Sequence, residues 1–380
     1  MGNIKKIFKL FLSVLLSPLK IIPLKKDTII IQSTSPNSYS NNTRYLYEFL
    51  SKKKLNVYWY CQNKKVKDYL KKRKSNFVSL SNPLKLIFIT LKAKVIIDGG
   101  SNYFNFLNLI PNSSKKIHIG HGAANKMVLH KFYKSNVADF YFNKFDYINF
   151  PSKYTIDKVA KKIYKLNNSK IVKLGYPKFE ELKKKNKNIR EKKKVIFYTP
   201  TWRPYKYPLP LINLKNFNLK DFQIFLRENN IKFIYSRHSI NSNFHEDAIA
   251  DNKNIFFIDN EKNPLFDTTK FLKKIDLLIN DCSSTSIESL FINVPQLNIF
   301  PDLKRYNRES GFLNNYEENL TGPLVYDYEN FKKYINLYLK KSAYYKKKFF
   351  KKNLIEKNRY YDMYNQNSNY LCLKFIKTLL

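Results

Sequence analysis

The sequence predicts an α/β chain of two doubly wound domains facing a central cleft. Three observations carry that prediction. Short, largely apolar runs alternate with helical segments in both halves; a polar, highly basic stretch interrupts the alternation in the middle; and the alternation then starts afresh. Apolar strands of this kind are what a parallel sheet needs when helices cover both of its faces. A length of 380 residues suffices for two such domains with full cores.

Residues Ile4 to Leu24 come first, a basic start followed by an apolar run of about ten residues, well short of the roughly 20 that a membrane-spanning helix requires. Lys20, Lys25 and Lys26 flank the run and no small-x-small cleavage site follows, which argues against a signal peptide. Residues 1–26 are therefore expected to form an amphipathic segment with its apolar side in lipid and its lysines toward anionic headgroups. An ordinary core helix is the competing reading.

Thr28–Gln32, Asn56–Tyr60 and Ala93–Asp98 read as strands, with a helix near Asn42 to Lys53 between the first two. Lys115 to Gly122 reads as another strand and its exit loop, and Tyr147 to Pro151 begins one more. Leu174-Gly175-Tyr176-Pro177 ends this first domain, residues 27–180, and residues 181–194 suit a basic linker. Val195–Tyr198, Lys232–Tyr235, Ile255–Ile258, Asp276–Ile279 and Gln296–Ile299 are the strands of a second domain, residues 195–328. Residues 329–380 read as helices rich in Tyr and Lys.

The composition narrows the function. Seventy Lys and Arg against 29 Asp and Glu give a net charge of +41, which suits an anionic surface or a polyanionic substrate. Lys, Asn, Ile, Phe and Tyr are over-used together, so part of that charge is compositional, and no zinc-ligand spacing or RNA-binding sequence occurs. Nucleic acid is not an expected partner. Cys61, Cys282 and Cys372 are widely spaced, suggesting neither a disulfide framework nor a metal cluster, and fit a reducing cytosol. The lack of a P-loop or a Rossmann glycine fingerprint argues against a kinase or dehydrogenase; no cofactor is expected, and no carboxylate cluster suggests an obligatory metal ion.

Candidate chemistry concentrates at strand exits. Asp276 to Ile279 leads through the turn Asn280-Asp281-Cys282 to Ser283, Ser284, Thr285 and Ser286 at a helix start, with Glu288 spaced as a capping-box partner. A helix start offers unpaired N–H groups and a partial positive charge, so hydroxyls there make an anion seat; plain capping explains them equally. Thr199-Pro200-Thr201-Trp202-Arg203 and Ser236-Arg237-His238-Ser239 leave two other strands, and the carboxyl ends of parallel strands face the crevice. Two arginines, a histidine and a hydroxylated helix start suit a pyrophosphate. Taken singly, each arginine reads as a surface ion-pair partner and His238 as an ordinary histidine.

In the first half, Gly120-His121-Gly122 stands at a strand exit, followed by Lys126. Glycine on both sides of a histidine, in a chain with only eight glycines, suggests a sharp turn that aims the imidazole into the cleft. Histidine can accept a hydroxyl proton at neutral pH. A glycine-permitted turn with an incidental histidine is the plainer alternative.

Six stretches in order, His121-Gly122 with Lys126, Gly175-Tyr176-Pro177-Lys178, Tyr198 to Arg203, Ser236-Arg237-His238, Asp276 to Ser284 and Gly322-Pro323-Leu324, resemble the motif series of the CDP-glycerol glycerophosphotransferases, which build teichoic acids and related capsule polymers. The resemblance runs from about His118 to Tyr326. It implies a GT-B fold of two Rossmann-like domains and peripheral association with the cytoplasmic face of the membrane. It also implies transfer of a polyol phosphate, glycerol phosphate foremost, from a CDP-polyol donor to a hydroxyl on a surface polymer or its lipid-linked precursor, with release of CMP. By that resemblance His121 corresponds to the acceptor-side base and His238 to the histidine on the donor pyrophosphate. Gly122, Lys126, Thr201, Arg203, Arg237, Asp281, Ser283, Ser284, Thr285 and Glu288 are the expected substrate-binding residues. The sequence departs from the family's usual His-Gly-Thr-Pro-Leu-Lys at Ala123, Ala124 and Asn125, and from its Pro-Arg-x-Asp at Lys178 and Glu180. These changes fall on the acceptor side. CDP-ribitol is an alternative donor, and a nucleotide-sugar glycosyltransferase or a non-catalytic polyanion binder are alternative functions.

Overall fold

A computed structural model describes residues 11–22, 24–100, 104, 106–123, 125–126, 142–184, 193–205, 207, 209–236, 253–259 and 262–380. Each half carries one sheet in which every pairing is parallel. The first has the order β3-β2-β1-β4-β5-β6-β7, formed by β1 (Thr28–Gln32), β2 (Val57–Tyr60), β3 (Phe77–Val78), β4 (Ala93–Asp98), β5 (Lys115–His118), β6 (Tyr147–Asn149) and β7 (Ile171–Val172). The second has the order β10-β9-β8-β11-β12-β13, from β8 (Lys194–Thr199), β9 (Ile231–Ser236), β10 (Ile255–Ile258), β11 (Leu277–Asn280), β12 (Gln296–Ile299) and β13 (Leu324–Val325).

The apolar runs form these strands because both faces of each sheet are covered. Ile29 and Ile31 join a core with Trp59, Val95 and Ile97 on one face, while Ile30 and Ile96 join Val78, Leu86 and Ile89 on the other. Likewise Ile196 and Tyr198 face one core of the second sheet, and Val195 and Phe197 the other. Both orders reverse direction next to the first strand, between β1 and β4 and between β8 and β11. Such a reversal opens a crevice at the carboxyl ends of the strands. The two doubly wound sheets expected from the sequence are thus present.

Three two-residue strands, β3, β7 and β13, are too short to leave a periodic trace and escaped the sequence reading. β11 lies one residue later than expected; Asp276 just before it is tied to Val195, its N–H donating to the Val195 carbonyl at 2.8 Å and its carboxylate accepting the Val195 N–H at 2.9 Å. A short helix covers Phe179–Leu182, with Leu182 buried, where the basic linker was to begin; residues 185–192 of that stretch lie outside the described residues.

The remaining helices used below are α1 (Asn41–Lys52), α2 (Pro83–Leu91), α3 (Phe179–Leu182), α4 (Ser284–Leu290), α5 (Leu303–Glu309), α6 (Tyr328–Lys340), α7 (Ser342–Tyr360) and α8 (Ser368–Lys377). α6 packs on the second sheet through Phe331, Ile335 and Tyr338. α8 crosses back: Cys372, Leu373 and Ile376 lie in the core of the first sheet beside Ile29, Trp59 and Val95. Near the amino end, residues 11–16 are helical and Ser17–Ile21 form a 3₁₀ turn. Leu12, Leu16 and Leu19 pack against Ile87 and Leu91 of α2 and against Leu107 and Leu109, while Phe11, Val14, Leu15 and Ile21 point outward. No described helix is long and apolar enough to cross a membrane.

Candidate active site

The loop after β5 and the helix after β11 meet between the two halves. Gly120 takes a left-handed φ of +75°, which glycine adopts without penalty, and its open side is filled by the Tyr176 ring. This turn carries the chain to His121, whose side is open to solvent. At Gly122 a Cβ would lie 2.7 Å from both Cβ and Oγ of Ser284, so only glycine allows the histidine loop to rest on the first turn of α4. Asn125 and Asn314 reinforce the contact, the Asn314 N–H donating to the Asn125 Oδ1 at 2.9 Å. The half-buried Lys126 follows on the same loop.

Beneath the loop is a lysine that the sequence reading did not place in the site. Lys178 is 1% exposed. Its Nζ donates to the carbonyl of His121 at 2.6 Å and to Oε1 of Glu288 on α4 at 2.5 Å. Its own N–H donates to Oδ1 of Asn42 on α1 at 3.3 Å, and Nδ2 of Asn42 donates to the Gly120 carbonyl at 2.9 Å. The pair is bedded in an apolar cluster drawn from both halves, including Ala123, Tyr176, Phe179, Ile287, Leu290 and Tyr361, with Phe179 stacked on Phe291 at 4.2 Å. Burial raises the Glu288 carboxyl pKa while the Lys178 ammonium pulls it down.

Glu288 is therefore neither a capping-box partner nor open to a ligand; its charge belongs to Lys178. The cap of α4 is Ser283, whose Oγ accepts the Thr285 N–H at 3.3 Å. Ser283 and Ser284 are half-buried at the helix start and Thr285 is buried.

Arg203 requires the larger correction. Expected at the pyrophosphate, it is only 3% exposed and fully engaged within the protein. Its Nε and Nη2 donate to the two oxygens of Asp302 at 2.7 and 2.9 Å, and its Nη1 donates to Oδ2 of Asp281 at 2.7 Å and to the Thr201 carbonyl at 2.8 Å. The guanidinium also lies 4.7 Å from the Phe300 ring centroid and 5.1 Å from that of Tyr306. Burial works against its charge, and the Asp281 and Asp302 carboxylates more than offset that. Asp281 is likewise committed, accepting the Thr201 N–H at 3.0 Å and the Cys282 N–H at 2.6 Å. Together they brace the exits of β8 and β11. The Thr199 and Thr201 hydroxyls, beside this brace, are buried without a hydrogen-bond partner among the described residues. Arg237 and His238 lie outside the described residues.

At His121, desolvation, then the Lys178 and Lys126 ammoniums, disfavour the imidazolium, against a hydrogen bond to the Gly99 backbone; the pKa falls to about 4. Because the residue opens to solvent, water weakens both the desolvation and the charge contributions to this downward shift. Asp98, buried at the end of β4, accepts the Gly100 N–H at 2.6 Å and holds the Gly99-Gly100 turn. Burial raises its pKa to about 7, against the Gly100 and Phe104 backbone hydrogen bonds and the Lys144 charge. Asn42 and Asp98 carried no motif in the sequence; their signal is only that each is a polar residue in an apolar setting.

The geometry puts a histidine loop on one side of a contact and a hydroxyl-rich helix start on the other. A family model described as CDP-glycerol:poly(glycerophosphate) glycerophosphotransferase matches residues 15–370. The teichoic acid glycerol-phosphate primase of Bacillus subtilis (strain 168) is 26% identical over 302 residues, covering 73% of this chain and 74% of that protein. The teichoic acid poly(glycerol phosphate) polymerase of Bacillus spizizenii is 24% identical over 347 residues, covering 80% and 82%. A solved structure of the wall teichoic acid polymerase TagF superposes with a TM-score of 0.73 at 19% identity, covering 100% of this chain and 99% of that one. The S. aureus MnaA–UDP structure does so with 0.56 at 16% identity, covering 93% and 98%. At these identities the structural likeness speaks for the GT-B arrangement of two facing domains.

Proposed function

Since the chain belongs to the CDP-glycerol:poly(glycerophosphate) glycerophosphotransferase family, we propose that it moves glycerol phosphate from CDP-glycerol to an acceptor hydroxyl on a polymer or its lipid-linked precursor, releasing CMP. The acceptor oxygen forms a bond to the β-phosphorus, the bond from that phosphorus to the bridging oxygen breaks, and CMP leaves with the electron pair. His121 takes the acceptor proton. Transfer of this kind rests on positioning and on charge stabilisation. The observation that carries the reading is the contact of Gly122 with Ser284, which brings the base-bearing loop against the helix start expected to seat the donor phosphates. Arg203 and Asp281 serve that seat from behind, as a brace, and not as ligands.

The test is incubation with an acceptor and, separately, CDP-glycerol, CDP-ribitol and a set of UDP-sugars. CMP release from CDP-glycerol is the expected result. Release of UDP, or turnover of CDP-ribitol alone, overturns the donor assignment.

We further propose peripheral attachment to the cytoplasmic face of the membrane through the amino-terminal segment. Phe11 is 62% and Ile21 83% exposed, although the opposite stripe of the same segment is docked on the protein. Leu84 and Phe88 of the adjoining α2 are exposed as well. An apolar stripe beside lysines suits an anionic lipid surface. Deleting residues 1–23 should lower binding to anionic liposomes and spare turnover of a soluble acceptor analogue; unchanged binding at physiological salt removes this attachment.

A further inference from the structure

We propose that Lys178 is a positioning residue for the transfer step, its ammonium tying the His121 carbonyl in one half to Glu288 on α4 in the other. The inference rests on the function proposed above. Three observations support it.

The first is geometric economy. A single Nζ makes both contacts, at 2.6 Å to His121 and 2.5 Å to Glu288, so the loop and the helix cannot shift apart without breaking a charge-assisted bond. The second is that the neighbouring carbonyl, that of Gly120, is held by Asn42, which also accepts the Lys178 N–H. Two successive carbonyls of the histidine turn are thereby fixed by one connected network. The third is burial. An ion pair sunk in an apolar bed gains little stability over an apolar replacement, so its presence is better explained by what it orients. The carbonyl of His121 is the group that an apolar replacement leaves without its donor.

Stability and positioning separate in a set of variants. Lys178→Met strands the Glu288 carboxylate and should lower the thermal midpoint. Adding Glu288→Leu should restore the midpoint, because the buried charge is gone. Turnover should stay low in both, by about 10²-fold, since misplacement of a reacting group by an ångström costs that much. Titration with CDP-glycerol should give a Kd within a few-fold of the parent for the double variant. Lys178→Arg, which keeps the charge and donors, should recover most of kcat. Turnover that follows the thermal midpoint across the set, or full turnover in the double variant, overturns the proposal.

A parent protein that releases no CMP from CDP-glycerol instead defeats the proposed function. The positioning claim is then judged by hydrogen exchange, which needs no substrate. Amides of residues 119–123 should exchange faster in the double variant than in the parent, with the second sheet unchanged; equal exchange at 119–123 overturns it.

Discussion

Replacing Arg203 by alanine distinguishes a brace from a ligand. The guanidinium holds two buried carboxylates, Asp281 and Asp302, and its removal leaves both without their cation. Breaking a buried pair from one side costs about 3–5 kcal/mol. For a cooperative unit of this size each kcal/mol moves the midpoint by about 2–4 °C, so a drop of roughly 10 °C is expected. Arg203→Lys should recover little, because an ammonium cannot donate two parallel bonds to Asp302 while reaching Asp281. The assay is a thermal scan paired with a CDP-glycerol titration at a temperature where the variant is folded. Affinity there should change only a few-fold, by loosening of the β8 and β11 exits. A parent-like midpoint with lost nucleotide affinity would refute the reasoning and put the guanidinium on the donor.

His121→Asn should lower turnover by about 10²- to 10⁴-fold while CDP-glycerol still binds in a titration. Its pKa, depressed to about 4, keeps the imidazole neutral as pH falls through the ordinary histidine range. The acid limb of kcat/KM should accordingly lie below pH ~6.5 and vanish in the variant; a limb at or above that value refutes the lowering of the base's pKa by desolvation and by Lys178 and Lys126. Gly122→Ala drives a Cβ into Ser284 and should cut turnover, with Gly122→Ala/Ser284→Gly recovering part of it; no recovery in steady-state rate would mean that the strain falls elsewhere.

The fold was legible because a parallel strand covered on both faces leaves a solid apolar run, as at Ile29-Ile30-Ile31 and Leu277-Leu278-Ile279. Pairs such as Ile171-Val172 leave nothing to count. The strand-exit rule located Arg203 at the correct edge but could not say which way its side chain turns. That is decided by Asp302, 99 residues away and in no motif. Lys178 was legible only as a motif position where the family usually has arginine; that its ammonium is buried against Glu288, 110 residues away, no local spacing could show. Asn42 and Asp98 act through backbone groups of distant turns, and such pairings follow from topology, which no local spacing encodes.

The return of α8 to the first sheet bears on how the protein comes into being. A chain is synthesised from its amino end, and a domain can close its core only when all the residues that fill it have emerged. Here Cys372, Leu373 and Ile376 belong to the core that contains Ile29 and Trp59. The first half therefore keeps one flank of its apolar centre open until the second half and the stretch from Cys372 to Ile376 have been made. During that interval its partly covered sheet is the surface that a chaperone would have to shield.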